Sequence, residues 1–172
     1  MPKRLLVSVA LIVILAITIT NQDINSSEII LSDINNDIVL VNTHLLLSSG
    51  TQTNLDKVHE KDYLLINIWA SWCDPCIKEV PDLIKLSRAP NLTILGLNVN
   101  DTEVSAKDFI DDLKINYPVV VKKEDVSKII SQFSWAGIPT SVLIDKEKRI
   151  VSTIYGEVKE KDILSLLNSL SN

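Results

Sequence analysis

The chain has 172 residues, of which 46% are hydrophobic and 23% charged, and its formal net charge at pH 7 is -5. This length allows one well-buried domain with an appendage and excludes two full-sized domains. The acidic balance argues against a nucleic-acid partner, because no basic face is available to neutralise phosphates. With only two cysteines in the sequence, a framework of structural disulfides is excluded as well.

Residues 1–20 differ from the rest of the chain in composition. Lys3 and Arg4 precede an apolar run over residues 5–19, an arrangement typical of a signal peptide or a membrane anchor. As a helix this run would be about 22 Å long, short of the roughly 30 Å hydrocarbon core of a bilayer, which favours a signal peptide. The residues that follow lack the small-residue pattern of a cleavage site, which favours an uncleaved anchor.

We interpret residues 1–20 as an anchor, with a cleaved signal peptide as the alternative. In both cases the basic residues stay on the cytoplasmic side, and the rest of the chain is exported. The predicted location is therefore the outer, extracytoplasmic face of the cytoplasmic membrane, with the N-terminus inside.

The next segment predicts a linker and a small hairpin. Residues 21–43 are rich in Asn, Asp and Ser without a sustained period, which indicates a linker with a short strand at 38–41. Residues 45–47 and 51–53 flank a Ser-Ser-Gly loop, whose composition is typical of a hairpin turn. We expect a single domain over residues 44–172.

Strand and helix patterns alternate through that domain. The continuous apolar run at 63–69 predicts a central strand buried on both faces. Apolar residues then recur at helical spacing between shorter extended segments. The alternation predicts the α/β class, with a mixed sheet flanked by helices. Predicted strands lie at residues 92–99, 118–121, 141–144 and 150–155, and predicted helices at 74–87, from Asp101 or Thr102 onward, at 126–133 and at 163–170.

The two cysteines lie in one motif, Trp72-Cys73-Asp74-Pro75-Cys76, between the central strand and the next helix. Backbone N–H groups and the positive dipole end at a helix start stabilise an anion, so Cys73 should ionise more easily than a free cysteine. Cys76, about one turn later, can attack the mixed disulfide that Cys73 forms with a substrate. The charge of Asp74 opposes ionisation of Cys73, so we expect a weakly ionised, reducing dithiol.

A metal half-site or an inert buried pair is the alternative interpretation of these cysteines. A zinc site takes four ligands. The only histidines, His44 and His59, lie upstream without ligand spacing, and no second cysteine pair occurs. We therefore expect redox chemistry with no metal and no cofactor.

The segment from Asn67 to Pro81 resembles the active-site strand and helix of the TlpA, ResA and CcmG (DsbE) group of thioredoxin-like thiol-disulfide oxidoreductases. Residues 137–145, Gly-Ile-Pro-Thr-Ser-Val-Leu-Ile-Asp, resemble the segment that carries the cis-proline of that group. The likeness covers residues 43–170. It implies a thioredoxin-like fold with an N-terminal hairpin and a central strand-helix insertion at 118–133, preceded by a membrane segment.

The resemblance also implies roles for residues that bind substrate. Pro139 would be the cis-proline facing the disulfide, and the Ile138 backbone would offer hydrogen bonds to an extended substrate. Trp72, beside the first cysteine, would border the substrate groove. One departure from the group concerns Lys148, which occupies a turn where relatives often have glycine.

A proton-transfer role is implied for Glu79. It matches a glutamate that handles the proton of the resolving cysteine in this group. Asn67 falls where cytoplasmic thioredoxins carry a buried aspartate for that purpose, so that base is absent here. The alternative interpretation of Glu79 is an exposed helix residue with at most a surface ion pair.

By resemblance, the protein is expected to be a monomeric reductase of disulfides in exported proteins, with apocytochrome c in cytochrome c maturation as the leading substrate. Because an oxidising compartment offers no thiol pool, its electrons would come from a membrane dithiol donor of the DsbD or CcdA kind. The alternatives are a peroxiredoxin-like thiol peroxidase, a non-enzymatic module that binds apoprotein, and an oxidase or isomerase, which differs from a reductase in reduction potential.

Overall fold

The structure is a computed structural model that describes residues 38–171. The predicted anchor at 1–20 and most of the predicted linker at 21–43 lie outside the described residues. Within the described part, no helix combines the length and apolar character needed to cross a membrane.

A five-stranded mixed sheet lies at the centre of the described chain. The predicted central strand is confirmed as β3 (Tyr63–Trp69), which pairs in parallel with β4 (Leu92–Asn98) and antiparallel with β6 (Thr140–Asp145). The edges are β5 (Val119–Val120) and β7 (Ile150–Tyr155), so the strand order is β5-β4-β3-β6-β7. A central strand covered on both faces has no room for polar residues without internal partners, which explains its apolar composition.

Helices and a hairpin cover the two faces of this sheet, and the predicted α/β class with a mixed sheet flanked by helices is confirmed. Buried residues of three helices pack on one face, and those of the hairpin and two other helices pack on the other. The first layer contains α2 (Asp74–Leu86), α3 (Glu103–Asp112) and α5 (Glu160–Leu170); the second contains the hairpin β1 (His44–Leu46) and β2 (Gln52–Asn54), with α1 (Leu55–Val58) and α4 (Lys123–Ile130).

The short helix α1 was absent from the sequence prediction. Its four residues are too few to display a helical period. Asn54 caps it, accepting a hydrogen bond on its side-chain oxygen from Lys57 N at 2.9 Å. The two apolar residues of α1, Leu55 and Val58, are buried, so tertiary packing stabilises a helix that would be marginal alone.

Strand alternation places the polar residue of β3 on the face that carries α2. Leu65 and Trp69 pack in the α2 layer, whereas Leu64, Ile66 and Ile68 pack in the opposite layer. Successive strand residues point to opposite faces, so Asn67 points toward α2. The side-chain amide of Asn67 therefore faces the helix that carries the cysteines.

Lys148 lies in the turn before β7 in a backbone conformation that favours glycine. This residue has φ of 66°, the left-handed conformation in which glycine carries no steric penalty. Lys148 Nζ forms an ion pair with Asp56 at 2.8 Å. The position therefore has the backbone geometry that favours the glycine of relatives, and here a lysine adopts it.

Candidate functional site

Cys73 and Cys76 form a disulfide at the start of α2. Cys73 is the N-cap residue, and its sulfur accepts a hydrogen bond from the Cys76 backbone N–H at 3.3 Å. Both cysteines are buried in this oxidised state, and Cys73, at 5% exposed, is slightly more exposed than Cys76, at 1%. After reduction, the same N–H and the dipole of a 13-residue helix would stabilise a thiolate on Cys73.

A metal half-site is the alternative interpretation of this cysteine pair. Both sulfurs are bonded to each other, and within residues 38–171 no group of three or more His, Cys, Asp and Glu side chains is arranged to hold a metal ion. His44 is exposed on β1, and His59 follows the short helix α1. The pair is suited to thiol-disulfide exchange because its two sulfurs are already within bonding distance at the start of a helix.

An exposed aromatic side chain borders the disulfide. Trp72 is 62% exposed, although large aromatic residues are usually buried. Its indole N–H points to the Asn100 carbonyl oxygen, 3.4 Å away. Ile77, on the first turn of α2, is also exposed. These side chains present an apolar surface at the redox centre, as a site for polypeptide substrates requires.

The peptide bond between Ile138 and Pro139 is cis. Thr140, the next residue, is paired with Ile68 near the end of β3. This register places the proline at the end of the sheet from which the chain runs into the cysteine motif. The Pro139 carbonyl accepts a hydrogen bond from Gly156 N at 2.9 Å, which ties it to the segment after β7.

Glu79 is fully buried on α2, so its interpretation as an exposed helix residue is wrong. Its Oε1 accepts a hydrogen bond from Asn67 Nδ2 at 2.8 Å, and its Oε2 accepts one from Val158 N at 2.8 Å. Asn67 Nδ2 also donates to Ser141 Oγ at 3.0 Å. Cys76 lies three residues before Glu79 and therefore on the same side of the helix.

The environment of Glu79 brings its titration close to neutral pH. Burial raises the pKa of the Glu79 carboxyl to about 7, and the hydrogen bonds from Val158 and Asn67 oppose this rise by favouring the ionised form. A group with such a pKa can accept and release a proton under physiological conditions. Burial and the nearby Glu79 charge also raise the pKa of the Tyr117 phenol above its ordinary value.

A second polar cluster, centred on Asp101, holds the chain just before the cysteines. Asp101 Oδ2 accepts hydrogen bonds from Ser71 N at 2.7 Å and from Asn98 Nδ2 at 2.6 Å, and Oδ1 accepts one from Ser71 Oγ at 2.9 Å. The sequence prediction offered Asp101 or Thr102 as the start of α3. Thr102 is the cap, accepting from Ser105 N at 3.1 Å, which leaves Asp101 free to fix the cysteine turn.

Replacing Asp101 by alanine should lower the free energy of unfolding of the oxidised protein by about 2–3 kcal/mol, because the donors of Ser71 and Asn98 lose a charged partner. Ser71→Ala removes one of the three bonds and should cost about 1 kcal/mol. Urea denaturation followed by circular dichroism measures both. The exposed Asp108 of α3 provides the control, and equal effects of Asp101→Ala and Asp108→Ala would contradict the role of this cluster.

Sequence reasoning missed Ser71, Asn98 and Asp101 as parts of the site, as well as Ser141 and the backbone of Val158. No sequence motif links these residues to the cysteines. Only Ser71 is adjacent to the motif, and its partner Asp101 lies 30 residues further along the chain.

Comparison with known proteins places the chain among redox proteins. Residues 31–170 match the Redoxin family. The thiol-disulfide oxidoreductase ResA of a Bacillus cereus strain is 32% identical over 111 residues, 63% of this chain and 63% of that protein. The match therefore spans less than two thirds of that relative's length.

Two solved structures share the fold of the described domain. The thioredoxin domain of a thiol-disulfide oxidoreductase from Bacteroides vulgatus has a TM-score of 0.64 and 26% identity, covering 78% of this chain and 96% of that one. A secreted thiol-disulfide isomerase from Corynebacterium glutamicum has a TM-score of 0.61 and 30% identity, covering 73% and 81%.

Proposed function

The chain belongs to the Redoxin family, and we propose that it is an extracytoplasmic thiol-disulfide oxidoreductase that reduces disulfides of exported proteins. The observation that carries the proposal is the Cys73–Cys76 disulfide at the N-terminus of α2, with the buried Glu79 three residues further along the same helix. A cysteine at the helix start, a second cysteine one turn later and a buried carboxyl on the same side of the helix can together carry out both steps of disulfide reduction.

The first half of the reaction is carried out by Cys73. Its thiolate attacks one sulfur of the substrate disulfide. A bond forms between Cys73 Sγ and that sulfur as the substrate S–S bond breaks. The other substrate sulfur leaves as a thiolate and takes a proton from solvent. Trp72 and the backbone of Ile138 and Pro139 would hold the substrate chain against the disulfide.

The second half is carried out by Cys76 with Glu79 as its base. The Cys76 thiol gives its proton to the Glu79 carboxylate and attacks Cys73 Sγ. The Cys73–Cys76 bond forms, the mixed disulfide breaks, and the second substrate sulfur leaves as a thiolate. The substrate has gained two electrons, which the Cys73–Cys76 dithiol has lost.

The direction and location of this chemistry are proposed from the N-terminal sequence and from the resemblance of the two motifs to the TlpA, ResA and CcmG group. We infer that residues 1–20 tether the domain of residues 44–172 through the linker at 21–43, with the domain outside the cytoplasm. The leading substrate is apocytochrome c in cytochrome c maturation. A membrane dithiol donor of the DsbD or CcdA type would return two electrons to Cys73 and Cys76, and the domain would act as a monomer.

Isomerisation of disulfides is a second candidate, favoured by the 30% identity with the secreted isomerase from Corynebacterium glutamicum. The same two sulfurs would serve both reactions. A reductase ends each cycle as a disulfide, whereas an isomerase ends it as a dithiol, so the reduction potential separates the two.

Trapping of covalent intermediates in living cells tests the proposal. A full-length Cys76→Ser variant should accumulate mixed disulfides between Cys73 and exported proteins, apocytochrome c among them, because the second step is blocked. The matched control is the Cys73→Ser, Cys76→Ser double variant, which should trap nothing. Equal recovery of non-covalently bound apoprotein with both variants would favour a non-enzymatic binding module, and peroxide turnover that survives loss of Cys76 would favour a thiol peroxidase.

A further inference from the structure

The segment from Gly156 to Lys159 connects the cis-proline with the buried carboxyl. Gly156 N donates to the Pro139 carbonyl at 2.9 Å, and two residues later Val158 N donates to Glu79 Oε2 at 2.8 Å. Gly156 has φ of 92°, a conformation that other residues rarely adopt. The Val158 side chain is buried. The backbone of this segment is therefore held at both ends, with one N–H aimed at Glu79.

Two opposite charges flank that N–H. Glu157 and Lys159 lie on either side of Val158, and their side chains form an ion pair with each other. Lys159 Nζ is also 3.9 Å from Asp82 Oδ2, and Asp82 follows Glu79 by one turn of α2. Electrostatically, Glu157 raises the pKa of Glu79 and Lys159 lowers it. Both side chains are partly exposed.

The other groups around Glu79 come from several elements. Asn67 on β3 donates a hydrogen bond to Glu79. Tyr117, before β5, interacts with the charge of Glu79. Asn67 is shared with Ser141 on β6. Lys85 on α2 pairs with Asp82 and with Glu160 on α5. Among these charged groups, Glu157 and Lys159 have opposite charges. Both are adjacent in sequence to Val158, whose N–H donates directly to Glu79.

We propose that the Gly156–Lys159 segment is a positioning element that controls how readily Glu79 holds a proton, with Glu157 favouring the protonated carboxyl and Lys159 opposing it. This inference rests on the proposed role of Glu79 as the base for Cys76. Because the same segment binds the Pro139 carbonyl, it joins the predicted substrate-binding strand to the proton-handling group.

Charge-neutral variants of the two flanking residues test this inference. Glu157→Gln should move the titration midpoint of Glu79 to lower pH, and Lys159→Gln should move it to higher pH, each by roughly 0.3–0.5 pH unit for partly exposed charges. The double variant should return the midpoint close to that of the unmodified protein. Carbon NMR of the Glu79 carboxyl, titrated in the oxidised protein, measures each midpoint. High salt should shrink both shifts.

The opposite directions of the two midpoint shifts distinguish an electrostatic role from a structural one, because a loss of folding would shift the Glu79 midpoint in the same direction in both variants. Lys161→Gln, on the exposed side of α5, makes the same charge change as Lys159→Gln and should leave the midpoint in place. Shifts of equal sign in Glu157→Gln and Lys159→Gln, or no shift in either, would overturn the inference.

The inference and the proposed function can fail separately. The rate at which Cys76 resolves a mixed disulfide should follow pH with the same displaced midpoints. Displaced NMR midpoints without displaced rate profiles would support the control of Glu79 by this segment and would refute Glu79 as the base for Cys76.

Discussion

Replacing Cys73 by serine should lower the second-order rate constant for reduction of a protein disulfide by three orders of magnitude or more, on the order of effects seen when a catalytic nucleophile is removed. A serine hydroxyl stays protonated near neutral pH and forms no bond with a disulfide sulfur. Cys73 is the slightly more exposed of the two buried residues, and its sulfur accepts a hydrogen bond from the Cys76 N–H. Stopped-flow mixing of the reduced protein with a disulfide substrate measures the rate constant.

Cys76→Ser is the matched control, because it loses the same disulfide but keeps the Cys73 sulfur at the start of the helix. It should attack the substrate at a rate within a few-fold of the unmodified protein and stop after release of one substrate thiol. The roles assigned to the two cysteines would be reversed if Cys76→Ser lost the attack and Cys73→Ser kept it. Comparison of both variants with the reduced unmodified protein separates reactivity from any effect of the missing disulfide on stability.

Replacing Glu79 by glutamine should slow the resolution of the mixed disulfide by on the order of 10²-fold near pH 7, the range of general base catalysis. Glutamine has a similar volume, and its carbonyl can still accept from Asn67 Nδ2. It accepts no proton from Cys76. The rate of the second thiol release, measured in single turnovers from pH 5 to 9, should lose the inflection near pH 7 that burial of Glu79 predicts.

Glu103→Gln, an exposed change on α3, is the control and should retain both the rate of resolution and the inflection near pH 7.

Glu79→Gln should also differ from the unmodified protein in how its free energy of unfolding depends on pH. Burial raises the pKa of Glu79 from 4.5 to about 7, so the folded protein binds this proton more tightly than the unfolded chain. The stability from this group is full below about pH 4.5 and is lost as pH rises through about 7.

The loss amounts to about 3 kcal/mol between these two pKa values. Urea unfolding of the oxidised protein at several pH values should show this decline, and Glu79→Gln should lack it. Parallel pH curves for the two proteins would contradict a raised pKa for Glu79. A rate inflection near pH 7 that persists in the variant would assign proton transfer to another group.

The local sequence pattern was sufficient to predict the strand and the helix on either side of the cysteine motif. The apolar run at 63–69 became β3 without a change of boundary, and the helix predicted at 74–87 is observed as Asp74–Leu86. The other observed strands and helices, apart from α1, lie within a few residues of predicted ones, whereas the short strand predicted at 38–41 is only an isolated bridge between Val39 and Arg149. Burial of one face or of both faces imposes a period on the sequence itself. For that reason these predictions needed no partner from elsewhere in the chain.

The sequence by itself determined the α/β class, the family and the location of the cysteine pair between a buried strand and a helix. Only the tertiary structure decided that Asn67 and Ser141, 74 residues apart, meet beside Glu79, and that Asp101 holds Ser71. Sequence periodicity reports which face of an element is buried, whereas hydrogen-bond partners and pKa values depend on which distant segments share that burial. The pKa of Glu79 is therefore set by burial and by contacts with distant segments that no local motif encodes.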